Sequence, residues 1–393
     1  MDLKTRIRRR QRNGTDAPII LEYDAISPVV HMEEPTGRGP VMERLLDYLD
    51  PVFDRDLPMN AYVWGPAGSG KSAVLTSLTT SLDRLISQSR SVIHTTTRAQ
   101  TAPAPTFVYV DARQANTDLG LYHAVLDSIL DESVPKKGVG SDALRSRLAD
   151  LLSGSRQNAV VTVDHVGEPG TLSLASLAET FGHFEDSLAW IAVGRDAPGD
   201  LPADACPPEH IEIPAYERHA LVDVLTGRAS DGLARQAIEH GQVRRLADWA
   251  DGDAHDALAG LFSAAHLATV AGHDHIRERD LEGGMDAVPR PSVSLGRVLT
   301  LPANRQLVLR QLLELDETAA ASVSDAAEAI ASAPDVDLSA ATVKRFLYEL
   351  AEAGITERVR ADQAADRAGR PPSRLEPRFA TLVFRRLYDL QNE

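Results

Sequence analysis

Residues 65–72 read Gly-Pro-Ala-Gly-Ser-Gly-Lys-Ser, and the letters on either side decide what this octapeptide can be. Before it comes NAYVW, suited to a short buried strand; after it comes AVLTSLTTSLDRL, with apolar residues at helical spacing. Strand, glycine-rich turn and helix in that order fit the pattern GxxxxGK[ST], and Gly65, Pro66, Ala67, Gly68, Ser69, Gly70, Lys71 and Ser72 fill every position. Such a turn aims backbone N–H groups inward, and the following helix adds the positive end of its dipole, so the segment is expected to cradle phosphates. Lys71 would neutralise β- and γ-phosphate oxygens, and the Ser72 hydroxyl would ligate magnesium. The same turn commits the fold to the α/β class.

The alternation continues downstream. TFVYVDA, NAVVTVD and LAWIAVG read as further strands and IEIP as a short fifth, with helices at LGLYHAVLDSIL and from about Ser141 to Leu152. Strands this rich in β-branched residues, separated by helices, predict a parallel sheet covered on both faces. Asp164 ends the third strand, where a carboxylate would hold magnesium through water. Residues 88–105 are polar and Pro/Thr-rich and read as an insertion before the second strand.

From Tyr216 the strands stop, and helical segments run through LADWADGDAHDALAGLFSAAHLATVAG and RERDLEGGMDAV to a Pro-containing link, VPRPSVS. NRQLVLRQLLEL, SVSDAAEAIAS and SAATVKRFLYELAEAGI then read as three helices. ITERVRA, the polar turn DQAADRAGRPPS and RLEPRFATLVFRRLYDL close the chain, and three helices with a strand–turn–strand wing predict a winged helix. The expected division is a basic arm over 1–22, an α/β domain over 23–215, a helical domain over 216–290 and a winged helix over 291–393.

Composition limits what these parts can touch. Fifty-seven acids against forty-one bases give a net charge of −16, and only five of the bases are lysine. That balance matches proteins of salt-loving archaea, or an ordinary acidic protein from a GC-rich genome. A nucleic-acid surface on such a chain needs its bases gathered locally. Thr342, Lys344 and Arg345 open the third helix of the winged unit, the position that enters a major groove, while Arg370 and Arg374 fall in the wing. The alternative is a wing that contacts protein. Residues 1–16 hold six basic residues and read as a solvated tail or as an arm on DNA phosphates or a partner. No apolar run approaches the ~18–20 residues of a membrane span, so a soluble, cytoplasmic protein with no membrane partner is expected. The single cysteine, Cys206, excludes an internal disulfide, has no activating neighbour in sequence and is expected to be inert. His266, His273 and His275 are expected in a solvated loop rather than around a metal, and Trp190 and Trp249 in the core.

Several stretches, in order, resemble the archaeal replication initiators related to the origin recognition complex and the cell-division-control helicase loaders, within the AAA+ ATPases. The matching pieces are a Pro-x-x-Arg-led helix (Pro35–Leu46), GPAGSGKS, FVYVDARQANTDLGLYHAVL, IPAYERHALVDVLTGRA, ADGDAHDALAGLFSAAHLA and LPANRQLVLRQLL, spread over roughly residues 20–390. The resemblance implies an AAA+ parallel sheet with an α-helical lid and a winged helix, ATP or ADP with Mg2+ between sheet domain and lid, and Tyr216 among the nucleotide contacts. It further implies double-stranded origin DNA gripped by the winged helix and the AAA+ insertion, with a replicative helicase or other initiator subunits as further partners.

Four positions depart from that family. His165 stands where a glutamate polarises the attacking water, and Arg195 where the sensor asparagine follows the fourth strand. Between Asp196 and His210 there is no Arg or Lys to serve as a trans-acting finger, and His255 replaces the lid arginine that touches the γ-phosphate. A missing finger alone costs ~10³–10⁵ in rate. Binding groups kept and hydrolytic groups lost lead to the expectation of an ATP-binding switch with weak or absent turnover. Two other readings compete with an initiator: a non-hydrolysing adaptor that binds protein partners, and a regulatory ATPase with a winged-helix appendage.

Overall fold

The structure is a computed structural model that describes residues 18–93, 104–130, 132–136, 138–154, 158–360 and 373–392. The N-terminal basic arm up to residue 17, most of the expected insertion and the wing turn with Arg370 lie outside the described residues. Two compact units result. One is His31–Ala220, and the other joins Leu221–Glu393 to the segment ending at Val30, which includes helix α1 (Tyr23–Ile26).

The first unit contains α2 (Gly39–Phe53), β1 (Ala61–Trp64), α3 (Lys71–Ile93), β2 (Thr106–Asp111), α4 (Asp118–Ile129), α5 (Ser141–Gly154), β3 (Ala159–Asp164), α6 (Leu174–Phe181), β4 (Leu188–Val193) and β5 (Glu209–Glu212). The strands form one parallel sheet in the order β2-β3-β4-β1-β5. Alternation along each strand feeds two cores. Val161, Val163, Trp190 and Ala192 pack under α4, α5 and α6, while Val160, Ile191, Val193 and Val63 pack under α2 and α3. Each fully buried Val or Leu contributes ~1.5–3 kcal/mol, which is why these strands read as unbroken apolar runs. The fifth strand begins at Glu209, two residues ahead of the expected IEIP, and buries only Ile211. As an edge strand it shows Glu and His to solvent, so hydropathy alone misplaces it.

The second unit continues with α7 (Arg218–Gly232), whose first turn belongs to the first unit, then α8 (His240–Ala250), α9 (Ala254–Val270), α10 (Glu278–Asp286), α11 (Leu295–Leu299), α12 (Ala303–Leu312), α13 (Val323–Ala331), α14 (Ala340–Glu352), β6 (Thr356–Arg360), β7 (Ser373–Pro377) and α15 (Thr381–Asn392). α9 is buried almost all round from Asp256 to Ala265, the mark of a central helix. β6 and β7 pair antiparallel from Thr356↔Pro377 to Arg360↔Ser373. Ser322 and Ser339 cap α13 and α14 by accepting from Asp325 N–H and Thr342 N–H. Among the described residues no helix is long and apolar enough to cross a membrane.

Candidate functional site

Parallel strands bring their carboxyl ends to one edge, where open α/β sheets bind ligands. β1 delivers the glycine-rich loop to that edge, β3 delivers Asp164 and β4 delivers Arg195. Two strand-end hydrogen bonds fix the loop's base: Gly194 N–H donates to Val63 O (3.0 Å) and Ile213 N–H to Trp64 O (2.8 Å). A Cβ on Gly65 would lie 2.1 Å from Ile213 O, and one on Gly70 (φ +78°) would lie 2.8 Å from Tyr216 Oη. Glycine is therefore a steric requirement at both ends of the loop. Lys71 and Ser72 open α3, and the Lys71 ammonium donates to the carbonyls of Gly65 and Pro66 (2.7 Å each) and to Ser69 Oγ (3.3 Å).

Asp164 is 1% exposed and accepts from three directions: His165 N–H to Oδ1 (2.7 Å), Tyr109 O–H to Oδ2 (2.6 Å) and the Ser72 hydroxyl. Burial pushes its carboxyl up, but the charge of His165 and the hydrogen bonds from Ser72, Tyr109 and the His165 N–H together hold it below its ordinary value. A buried carboxylate kept ionised beside a hydroxyl suits a hard divalent cation. Tyr109 is held protonated, first by burial and then by Asp164. Nothing in the local sequence marks it, because it reads as one more strand residue.

His165 begins a tight reversal with φ +66°, followed by Gly167 at φ +80°. The loop is pinned by Val166 N–H to Val193 O and Gly167 N–H to Leu172 O, and Thr171 Oγ1 lies 2.8 Å from both His165 O and Glu168 O. This turn carries Glu168 back beside the imidazole. His165 Nε2 stands 3.5 Å from Asp164 Oδ2 and Nδ1 stands 3.4 Å from Glu168 Oε1, which also receives Arg195 Nη2 at 2.9 Å. Burial raises the Glu168 carboxyl, yet the His165 hydrogen bond and the charges of Arg195, His165 and Arg113 hold it at about 2. Arg113 in turn pairs with Asp111 at the end of β2 (2.9 Å). Sequence reasoning missed Glu168.

Tyr216 stacks under the guanidinium of Arg38, 3.6 Å from carbon to ring centroid. Arg38 is 4% exposed, and its Nε and Nη2 have no hydrogen-bond partner. The aromatic face offsets part of that buried charge.

The structure thus brings together Gly65, Pro66, Ala67, Gly68, Ser69, Gly70, Lys71, Ser72, Asp164, His165, Arg195 and Tyr216 within the first unit. His255 belongs to the second unit, where its Nε2 accepts from Leu295 N–H (3.0 Å) and Nδ1 faces Asp256. Thr342, Lys344 and Arg345 lie in the first turns of α14, with Lys344 donating to Ser324 Oγ (2.8 Å) and Arg345 near Glu349. Arg374 lies on β7 and pairs with Glu376 (2.6 Å), while Arg370 is outside the described residues.

Two expectations need correction. His273 is not solvated: its side chain is 5% exposed and its Nδ1 contacts Asp280 Oδ2 at 2.7 Å. Cys206 has a partner that sequence distance hid, His210 Nε2 at 3.2 Å, although burial raises its thiol pKa and keeps it unactivated.

Comparison with known proteins agrees with this geometry. The AAA ATPase domain matches residues 34–191. An ORC1-type DNA replication protein of Thermococcus onnurineus is 24% identical over 292 residues, covering 70% of this chain and 67% of that protein. ORC1-type DNA replication protein 5 of Halobacterium salinarum is 23% identical over 300 residues, covering 70% and 68%. The Aeropyrum pernix ORC1 protein, solved in complex with DNA, superposes with a TM-score of 0.60 at 19% identity, covering 95% of this chain and 97% of that one. The chain therefore carries an AAA ATPase domain, is similar in sequence to archaeal ORC1-type DNA replication proteins, and shares the ORC1 fold.

Proposed function

We propose that the chain binds ATP and ADP with magnesium at the Gly65–Ser72 loop and uses bound nucleotide as a switch in the initiation of DNA replication. The observation that carries the nucleotide reading is the loop beside an ionised, buried Asp164. Ser72 and Asp164 would hold the magnesium, whose charge would stabilise the phosphates. Gly70, with Tyr216 and Arg38 behind it, closes the loop's far end.

Hydrolysis is proposed to be weak or absent. The His165 ring faces a carboxylate at each nitrogen and offers water no carboxylate of its own. His255 is committed to Leu295, and no Arg or Lys lies between Asp196 and His210.

Similarity to ORC1-type replication proteins supports double-stranded origin DNA as the macromolecular ligand, with a replicative helicase or other initiator subunits as further partners. Lys344 and Arg345 on α14 would approach bases, while Arg374 and Arg370 in the wing would meet a minor groove or phosphates. The acid-rich, lysine-poor composition supports a halophilic, cytoplasmic setting. The adaptor reading keeps one observation in its favour: Arg345 and Arg374 are already near carboxylates.

Calorimetric titration with ATP and with ADP, with and without magnesium, tests the core of the proposal. Magnesium-dependent binding is expected in the wild type and its loss in Lys71→Ala, with turnover below that of an ordinary AAA+ ATPase. Ordinary turnover in the wild type would overturn the degenerate-site reading, and equal binding by both proteins would overturn the nucleotide site. For DNA, Arg370→Ala with Arg374→Ala is expected to weaken duplex binding in high salt; unchanged binding would favour the adaptor.

A further inference from the structure

Glu168 and Arg195 form an unequal pair. The glutamate side chain is 7% exposed and the arginine side chain 44%. Glu168 sits on a loop locked at both ends, with Oε2 buried and unpartnered, so its position is fixed. Arg195 is tied through its guanidinium, on a long stem that follows β4, and can leave. The imidazole of His165 stands between the two carboxylates, which puts Glu168 on the side of that ring away from Asp164 and Ser72. Arg195 is therefore held on the side remote from the magnesium-binding pair. β4 is nonetheless the immediate neighbour of β1, and Gly194, next to Arg195, is hydrogen-bonded to Val63 just ahead of the phosphate loop. A guanidinium rooted there and drawn aside by a fixed carboxylate has one competing attraction of its own kind within the site: phosphate oxygens, which match its fork as a carboxylate does.

We propose that Glu168 is a positioning residue that parks Arg195, and that Arg195, when it leaves Glu168, reads the γ-phosphate, so that the strength of the Glu168–Arg195 pair sets the preference for triphosphate over diphosphate. This rests on the nucleotide reading above. It explains why a carboxylate is buried with one oxygen unpaired, an arrangement that costs stability unless a partner offsets it. It also gives this chain a phosphate-reading cation although neither the finger nor the lid arginine is present.

The test is equilibrium binding of a non-hydrolysable ATP analogue and of ADP, each with magnesium, to the full chain carrying Glu168→Gln, Arg195→Ala or both. Glu168→Gln keeps the shape and removes the competing charge; it is expected to tighten the triphosphate by about tenfold and the diphosphate by much less. Arg195→Ala is expected to lower the triphosphate-to-diphosphate affinity ratio by about the same factor and to cancel the gain from Glu168→Gln in the double variant. A weaker triphosphate in Glu168→Gln, an equal change for both nucleotides, or a gain that survives Arg195→Ala would overturn the proposal. If Glu168→Gln does not fold, the half-exposed Arg195→Ala still decides, because an unchanged ratio there sinks the idea. Failure of the nucleotide reading looks different: the wild type then binds neither ligand.

Discussion

Glu168 titrates in surroundings that oppose its protonation, and this has a consequence for acid stability. Its ordinary value is 4.5 and its folded value about 2. A carboxyl lowered on folding adds stability above the unfolded value, and that contribution is lost as pH falls through the window from 4.5 to about 2. Denaturant melts of the wild type are therefore expected to lose midpoint across that window, and Glu168→Gln to lose less. Parallel curves for the two proteins would show that the ion pair adds nothing to folding. At this scale the sequence was informative only where chemistry is written consecutively. Gly65–Ser72 can be read directly, and Asp164 can be placed because an apolar strand stops there. Glu168 could not be found, because a left-handed His165 and Gly167 fold it back, and no spacing rule covers such a reversal. Arg38 and Tyr216 stand on opposite sides of the whole sheet segment in sequence, so only the fold joins them.

α14 and the β6–β7 hairpin carry the cations proposed to meet DNA, and their local supports make distinct predictions. Ser339 caps α14, so Ser339→Ala is expected to lower stability by ~1 kcal/mol in thermal or chemical melts, with little change at the phosphate loop. Lys344→Ala with Arg345→Ala, which leaves the cap intact, is expected to weaken duplex binding and to reduce the salt slope by ~1 for each phosphate no longer neutralised. A slope identical to wild type would place those side chains off the DNA backbone. Element boundaries were readable where burial and period agree: β2, β3 and β4 fall within a residue of their apolar runs. β5 was not, because an edge strand obeys solvent on one side and reveals only Ile211 as a core position.

Over the whole molecule a charge of −16 opposes compaction in dilute buffer. The Debye length shrinks from ~10 Å at 0.1 M to ~3 Å at 1 M salt, so the melting temperature is expected to rise with added salt over that range. A flat profile would show that the surface acids are already compensated within the fold. The Ile213 carbonyl bears on a different matter, descent. It lies where any side chain on Gly65 would have to go, so that glycine is demanded by the joint between β1 and the segment after β5, whether or not phosphate ever arrives. Lys71 is under no such demand, since its ammonium reaches loop oxygens that water can also satisfy. A lineage that abandoned nucleotide would therefore shed the lysine early and keep the glycine almost indefinitely. In drifting copies of this gene, the lysine is the letter that dates the loss.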